Sequence, residues 1–439
     1  LNYSNAGHAL FSSQDGPPLD GSAAQSAYGS GSDFHQPPPV PARYHPAFLR
    51  LIMQATPHRH PRLGIIGGGQ LAKMTALAAR ELGCDVLVLE RSDPSPAAPL
   101  ANDALLGDWN DPATLLKLAA QVDVVSIENE FLDVDALEAM VRSGHSLYPG
   151  TATLRRIQDK FIQKQTLADA GLTTPRFCAV EQPADLTRLA KDFGWPMVLK
   201  TRRNGYDGKG NYTLRSADDI EAGWQALGGG RNALYVEAFC PYVRELAVII
   251  TRGRDGAAAI YPVVETVQRN HICHLVHAPA PVSEAIARTA EQLARRAIEA
   301  IEGVGSFGVE MFLTAAGEVL INELAPRVHN SGHYTIEACE CSQFENHVRA
   351  VLGWPLGSTA MVAPAAVMVN LLGVGGGPGT PRGLERALAI PGAHVHIYGK
   401  ALSGAGRKMG HITALGQTLE AAGQTARLAA EVIQFGAKP

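Results

Sequence analysis

The chain has 439 residues, 46% of them hydrophobic and 18% charged, with a formal net charge of −4. That length supports two or three domains with cores of their own, the charge gives no bulk attraction to nucleic acid, and no apolar run reaches the roughly 18 residues of a membrane span. Six cysteines lie scattered without a CxxC pair and read as free thiols of a reducing cytosol.

Residues 1 to about 60 are rich in Gly, Ser, Pro and Gln, include Pro37-Pro38-Pro39, and show no sustained periodicity, so they read as disordered. Asp15, Asp20 and Asp33 argue against a transit peptide, and no apolar core marks a signal peptide. Met53 immediately precedes the first patterned segment and is the expected start. Order begins with Arg62-Leu63-Gly64-Ile65-Ile66, a buried-strand pattern, followed by Gly67-Gly68-Gly69-Gln70-Leu71-Ala72 and a helix to about Leu82. A second strand, Asp85 to Leu89, ends at Glu90. This arrangement, with GxGxxA and an acid at the next strand end, matches a dinucleotide fingerprint whose backbone N–H groups approach a phosphate. Asp123 to Ile127 is another buried strand, and Glu128-Asn129-Glu130 follow at the carboxyl edge, where open α/β sheets place ligands. Residues 62–158 therefore read as a small doubly wound domain.

A helix spans Thr153 to Ala170 and carries Asp159, Lys160 and Lys164. After Pro175 a new unit opens with a helix near Asp185 to Phe193 and a strand from Pro196 to Lys200. The glycine-rich, cationic run Thr201 to Gly210 suits folding over phosphates, although GxxxxGK[ST] is absent. Strands Ala233 to Phe239 and Arg244 to Ile250 follow, and Glu245 either faces solvent or accepts from a ribose. Cys273 among His271, His274 and His277 lies on a strand without a second ligand pair, so it is not read as a zinc site. Helix Ser283 to Glu302 puts Leu293, Ala297, Ile298 and Ile301 toward a sheet.

The runs Gly308 to Leu313 and Val319 to Asn322 flank a turn at Ala316-Gly317 and read as a hairpin. With those two turn residues, 315 pairs with 318 and, further out, Glu310 with Glu323, roughly 5 Å apart at Cβ. Like charges so placed repel unless a hard divalent cation takes their oxygens, and Asn322 adds a neutral oxygen. The run Ala325 to His333 then supplies donors beside the expected metal. Residues from about 356 form a small C-terminal unit with strands Val367 to Leu371 and His394 to Tyr398 and a last helix, Thr418 to Phe435.

Four segments, GGGQLAKM at 67–74, KTRRNGYDGKGN at 200–211, INELAPRVHNSGH at 321–333 and GKALSGAGRKMGH at 399–411, resemble the ATP-grasp superfamily and, within it, the N5-carboxyaminoimidazole ribonucleotide synthase family. The resemblance implies an α/β (α+β ATP-grasp) fold. It comprises a doubly wound parallel-sheet domain at 62–158, an ATP-grasp domain at 159–355 and a small β-rich domain at 356–436, with 1–60 a disordered or non-native extension. It further implies a cytoplasmic, homodimeric ligase that uses ATP, Mg²⁺ and bicarbonate to carboxylate 5-aminoimidazole ribonucleotide through carboxyphosphate in purine biosynthesis, with no nucleic-acid or membrane partner.

By position, the resemblance implies that Lys160 and Lys200 touch ATP phosphates and that Gly205, Tyr206, Asp207, Gly208, Lys209, Gly210 and Asn211 close over them, with Lys200 and Tyr206 also catalytic. Glu237, Ala238, Phe239 and Cys240 would be the hinge whose backbone reads adenine, and Glu245 would hold the ribose. Glu310 and Glu323 would hold Mg²⁺ with Asn322 beside them. Arg327, His329 and Asn330 would line the bicarbonate and acyl-phosphate pocket. Lys400 and Arg407, with the turn at Gly69, Gln70 and Leu71, would receive the phosphate of aminoimidazole ribonucleotide, and Glu130 its ribose. The chain departs from many relatives at Thr266, in place of asparagine, and at Gln268, in place of histidine; Gln268 can still donate and accept, and stays a nucleotide contact. The alternatives are another ATP-grasp ligase, such as formate-dependent glycinamide ribonucleotide transformylase, against which GYDGKG and GRKMGH argue, and, from residues 62–150 alone, an NAD-dependent oxidoreductase with Glu90 on the ribose.

Overall fold

The computed structural model describes residues 60–205 and 209–436. The expectations for residues 1–59, Met53 included, and for Tyr206, Asp207 and Gly208 lie outside the described residues. Among the described residues no helix is long and apolar enough to cross a membrane.

Strands β1 (Arg62–Ile66), β2 (Asp85–Glu90), β3 (Asp103–Leu106) and β4 (Val124–Ile127) form a parallel sheet in the order β3-β2-β1-β4. β1, β2 and β4 are buried apolar runs, as strands covered on both faces must be. β3 is a largely exposed edge strand, which is why its sequence carries no strand signal. Strand order reverses between β1 and β4. The residues that follow them, Gly67 to Gly69 and Glu128 to Glu130, therefore flank the crevice where such sheets bind ligands.

The expected helix over Thr153 to Ala170 is two helices, Thr151–Gln158 and Lys160–Asp169. Asp159 between them is extended, and its carboxylate accepts from the N–H groups of Phe161 at 3.0 Å and Ile162 at 3.2 Å. That cap opens a new helix and makes Lys160 its first residue.

Strands β5 (Phe177–Val180), β6 (Met197–Thr201), β7 (Asn211–Leu214) and β8 (Leu234–Ala238) form an antiparallel sheet in the order β5-β8-β6-β7. Met197, Leu199, Leu234 and Val236 enter one core. Period-two alternation therefore puts Lys200 and Glu237 on the opposite face.

The largest sheet contains β9 (Tyr242–Arg252), β10 (Ala258–Ile260), β11 (Val264–Arg269), β12 (Ile272–Ala278), β13 (Gly305–Thr314), β14 (Val319–Ala325) and β15 (Ala365–Leu372). After a short pair, β16 (Gly377–Pro378) with β18 (Leu402–Ser403), it also takes in β17 (Ala393–Ile397) and β19 (Lys408–Gly416). Its antiparallel order is β14-β13-β9-β11-β12-β15-β19-β17, with β10 on β9. The C-terminal strands thus extend the central sheet. Helix Glu284–Ala300 packs Ala290, Leu293, Ala294, Ala297 and Ile298 against Leu246, Val248, Ile250 and Phe307. Each large aliphatic side chain so buried contributes about 1.5–3 kcal/mol.

Helix Gln343–Leu352 joins this sheet to the N-terminal one. Val348 and Val351 pack with Leu63, Ile65, Ala72 and Ala76. His347 accepts the Ser306 N–H at Nδ1, 3.0 Å, which leaves Nε2–H to donate to Ser126 Oγ at 2.9 Å. A buried neutral imidazole thereby ties β4 to β13, and burial pushes its pKa down to about 4.

Candidate active site

The hairpin of β13 and β14 reaches the expected carboxylate pair by a different path. Gly317, at φ +84°, donates to Thr314 O at 3.0 Å, and Thr314 N–H bonds Glu318 O at 3.0 Å. The turn is therefore Ala315, Ala316 and Gly317, and Leu313 pairs with Val319, one residue off the expected register. Asn322 is an extra residue in β14 that absorbs the offset, and beyond it Glu310 pairs with Glu323. The same bulge breaks the alternation of burial: Ile321 and Leu324 are buried, while Asn322 and Glu323 both remain accessible. Two neighbours along one strand thus emerge on one side, where a regular strand would present only one.

Charge around the pair is uneven. Glu323 Oε2 lies 3.0 Å from Lys160 Nζ, and Glu310 Oε1 lies 3.4 Å from His329 Nε2. Burial alone would raise both carboxyl pKa values. Lys160 outweighs burial at Glu323 and holds it below the usual range, whereas burial and then the Glu323 charge push Glu310 well up. Burial and the nearby Arg327 depress His329 to about 3, so its ring is neutral at pH 7. Ser331 N–H donates to His329 Nδ1 at 3.4 Å, which leaves the Nε2–H pointing at Glu310. A hard cation fits this donor set of two carboxylates and an amide oxygen. Among the described residues no group of three or more His, Cys, Asp or Glu is placed to hold a metal alone. Mg²⁺ commonly completes such a site with waters and substrate phosphates.

Cations line the neighbouring sheet. Lys200 Nζ lies 2.8 Å from Glu237 Oε2, and Lys164 Nζ lies 3.1 Å from Glu237 Oε1. The Glu237 side chain, expected only to flank a backbone hinge, is a buried carboxylate shared by two lysines. Ala238 ends β8, Phe239 is exposed and Cys240 is half-buried in the link to β9. The Glu245 carboxylate accepts from Tyr242 Oη at 2.7 Å, and Tyr242 stacks on Phe312 with centroids 4.5 Å apart. Glu245 pairs with Thr266 on β11, and Gln268 sits past a bulge on that strand opposite Cys273. Gly205, Gly210 and Asn211 flank the base of the glycine loop, where Thr201 N–H donates to Gly210 O at 2.8 Å and Lys200 pairs with Asn211. Lys209, just before Gly210, is exposed.

Arg327 reaches back to the N-terminal domain. Its Nε and Nη2 donate to Glu130 Oε2 at 2.7 Å and Oε1 at 3.3 Å, a two-point fork across the domain junction. Asn330 exchanges a reciprocal amide pair with Asn370, at 2.9 and 2.7 Å. The Gln343 amide clamps the His329 backbone, accepting its N–H at 2.9 Å and donating to its carbonyl at 2.7 Å. A cavity of about 260 Å³ lies against Lys160 and Glu130 and extends to Arg203, Asn204 and Gly205.

The glycine turn carries carboxylates of its own chain. The Glu128 carboxylate accepts from the N–H groups of Gly69 at 2.6 Å, Leu71 at 3.1 Å and Ala72 at 3.4 Å. Glu90 Oε2 accepts from Gly68 N–H at 2.7 Å. The anion at this helix N-terminus is the chain's own carboxylate. The N–H groups of Gly69 and Leu71 are thus taken by Glu128, and the Glu90 carboxylate turns back to Gly68. Gly67, at φ +103°, has no room for a side chain, because Cβ would meet the Glu128 side chain at 2.7 Å. The turn is still near the C-terminal cations: one helical turn on from Gly69 and Gln70, Lys73 Nζ donates to Ile397 O at 2.8 Å and Tyr398 O at 3.3 Å. Lys400 Nζ donates to Lys408 O at 2.7 Å, and Arg407 Nη1 to Leu402 O at 2.7 Å.

Sequence reasoning assigned no role to Lys164, Glu128, Asp159 or Gln343. Only Asp159, an N-cap residue type before a helical run, carried a local signal. The other three meet partners far along the chain, Gln343 with His329 at 14 residues, Glu128 with Gly69 at 59 and Lys164 with Ile321 at 157, beyond any periodicity.

Residues 61–158 match the ribonucleotide synthetase preATP-grasp domain, 165–344 the ATP-grasp domain, and 366–425 the phosphoribosylaminoimidazole carboxylase C-terminal domain. The chain is 42% identical over 352 residues to the N5-carboxyaminoimidazole ribonucleotide synthase of Synechococcus elongatus, covering 80% of this chain and 88% of that protein. It is 41% identical over 365 residues to the phosphoribosylaminoimidazole carboxylase of Ogataea methanolica, covering 81% of this chain and 67% of that protein. The chain spans about two thirds of the length of such yeast relatives, and 64% of the one from Schizosaccharomyces pombe. The crystal structure of N5-carboxyaminoimidazole ribonucleotide synthetase from Thermotoga maritima superposes with a TM-score of 0.76 at 40% identity, covering 85% of this chain and 99% of that one. The Aspergillus clavatus enzyme in complex with ADP and 5-aminoimidazole ribonucleotide superposes with a TM-score of 0.79 at 38% identity, covering 85% and 98%. With a parallel-sheet domain, an ATP-grasp domain bearing the carboxylate pair and the matching C-terminal domain, the chain belongs to the N5-carboxyaminoimidazole ribonucleotide synthase family of ATP-dependent ATP-grasp ligases.

Proposed function

We propose that this chain carboxylates 5-aminoimidazole ribonucleotide to its N5-carboxy derivative with ATP and bicarbonate, through carboxyphosphate, in purine biosynthesis. The observation that carries the proposal is the contact set around the hairpin: Glu323 against Lys160 and Glu310 against His329, one strand end from the Arg327–Glu130 fork. A bicarbonate oxygen takes the γ-phosphoryl group as ADP leaves; the substrate amine then takes the carboxyl carbon, losing one proton as phosphate departs. Phosphoryl transfer needs positioning and charge neutralisation rather than a covalent nucleophile. Lys160 and Lys200 neutralise phosphate oxygens, and Arg327, its fork held by Glu130, orients an anionic acceptor. Neutral His329 offers its Nε2–H without adding charge. Glu310 and Glu323, with Asn322, would hold Mg²⁺, which would supply charge neutralisation at the transferring group. Lys400 and Arg407 take the substrate phosphate, while Glu237 to Cys240, Glu245 and Gln268 line the nucleoside.

The family resemblance supports a homodimer and domain limits of 62–158, 159–355 and 356–436, and the six free cysteines support a reducing cytosol. The test is phosphate release from ATP with Mg²⁺ and bicarbonate. Stimulation by aminoimidazole ribonucleotide, but not by glycinamide ribonucleotide with formate, supports the reading; no stimulation by either overturns the acceptor.

A further inference from the structure

Lys164 is a lysine with only 2% of its side chain exposed, and its three N–H groups meet three acceptors: Glu237 Oε1 at 3.1 Å, Thr174 Oγ1 at 2.9 Å and Ile321 O at 3.4 Å. Burying an ammonium is costly, and an apolar side chain at such a site is often as stabilising. Its surroundings indicate what the charge does. Lys160 and Lys164 are one turn apart on one helix face. Lys160 takes the Glu323 carboxylate of the metal strand, and Lys164 takes the Glu237 carboxylate, whose other oxygen lies 2.8 Å from Lys200. A Lys200–Glu237 pair alone would be neutral and would offer a phosphate no net charge. The second lysine leaves the trio at +1. Burial brings Lys164 down to about 8, so it is still protonated at pH 7, and Glu237, drawn down to about 2 against its own burial by Lys164 and Lys200, is ionised.

We infer that Lys164 is a positioning residue for nucleotide binding: it fixes Glu237, through it aims Lys200, and supplies the charge that keeps the trio cationic toward the polyphosphate. The inference rests on the ATP-grasp reading of the site. It requires a positive charge at this position, so a neutral side chain there weakens the hold on the polyphosphate and spares the nucleoside.

The test is calorimetric titration with ADP and with adenosine, both with Mg²⁺, on the wild type, Lys164→Met and Lys164→Gln. The expected result is ADP affinity at least tenfold weaker in both variants, with adenosine affinity unchanged. Wild-type ADP affinity in either variant overturns the inference, as does an equal loss of adenosine affinity. If Lys164→Met does not fold, Lys164→Gln decides by the same limits. A wild type that binds no ADP overturns the nucleotide reading itself, and the inference with it.

Discussion

Glu310 and Glu323 face each other across the hairpin because Asn322 is an extra residue in its strand, offsetting a turn one residue longer than the two-residue turn that would have paired them directly. Their charges are held unequal, Glu323 by Lys160 and Glu310 by burial beside a neutral His329. Replacing either carboxylate with its amide keeps the shape and removes a cation ligand. Glu323→Gln should lower turnover by about 10² or more, with an unchanged melting curve. Near wild-type turnover in that variant would remove Glu323 from the site.

What the sequence revealed follows from how local each cause is. The strand, glycine turn and helix from Arg62 to Glu81 are marked by contiguous residues, and the structure has them within a residue or two. β19 went unseen because Lys408, Gly410 and His411 dilute its apolar pattern, although Met409 to Ala414 are all buried. The break at Asp159 was hidden by helix-forming residues on both sides. In the site, the Glu310–Glu323 pairing was legible from residue spacing even though the turn was misread. The trio of Lys164, Glu237 and Lys200 was not, because nothing in three separated segments indicates which side chains meet.

The glycine turn separates this chain from dinucleotide enzymes. With Glu128 on the Gly69 and Leu71 N–H groups and Glu90 on that of Gly68, NADH should give no saturable fluorescence change. Glu128→Ala strips the helix N-terminus of its acceptor and should cost about 1–3 kcal/mol in denaturant unfolding. Saturable NADH binding by the wild type would contradict this closure.

His347 sets a pH dependence of stability. Its pKa is about 4 in the fold against 6.5 for the free side chain, so the unfolded chain binds the extra proton. The neutral-ring tie to Ser126 and Ser306 is fully present above pH 6.5 and is lost as pH falls toward 4, amounting to about 3 kcal/mol at the limit. Buried His329, His333 and His411, all depressed, act in the same sense. The urea midpoint should therefore fall between pH 7 and 5, and less steeply in His347→Gln. An identical slope in that variant would remove His347 from the acid limb.

The fork between Arg327 and Glu130 needs a planar guanidinium. Arg327→Lys keeps the charge and loses the two-point contact, so kcat/KM for bicarbonate should fall about tenfold or more while ADP affinity holds. Equal loss of ADP affinity would mean that the fork supports the nucleotide side instead.

The most direct measurement follows oxygen. With ¹⁸O-labelled bicarbonate, ATP, Mg²⁺ and aminoimidazole ribonucleotide, phosphoryl transfer to a bicarbonate oxygen leaves that oxygen on the phosphate released. Mass spectrometry should find one labelled oxygen in each phosphate formed, appearing in step with the carboxylated product. Phosphate released without label while product accumulates would contradict activation of bicarbonate by the γ-phosphoryl group.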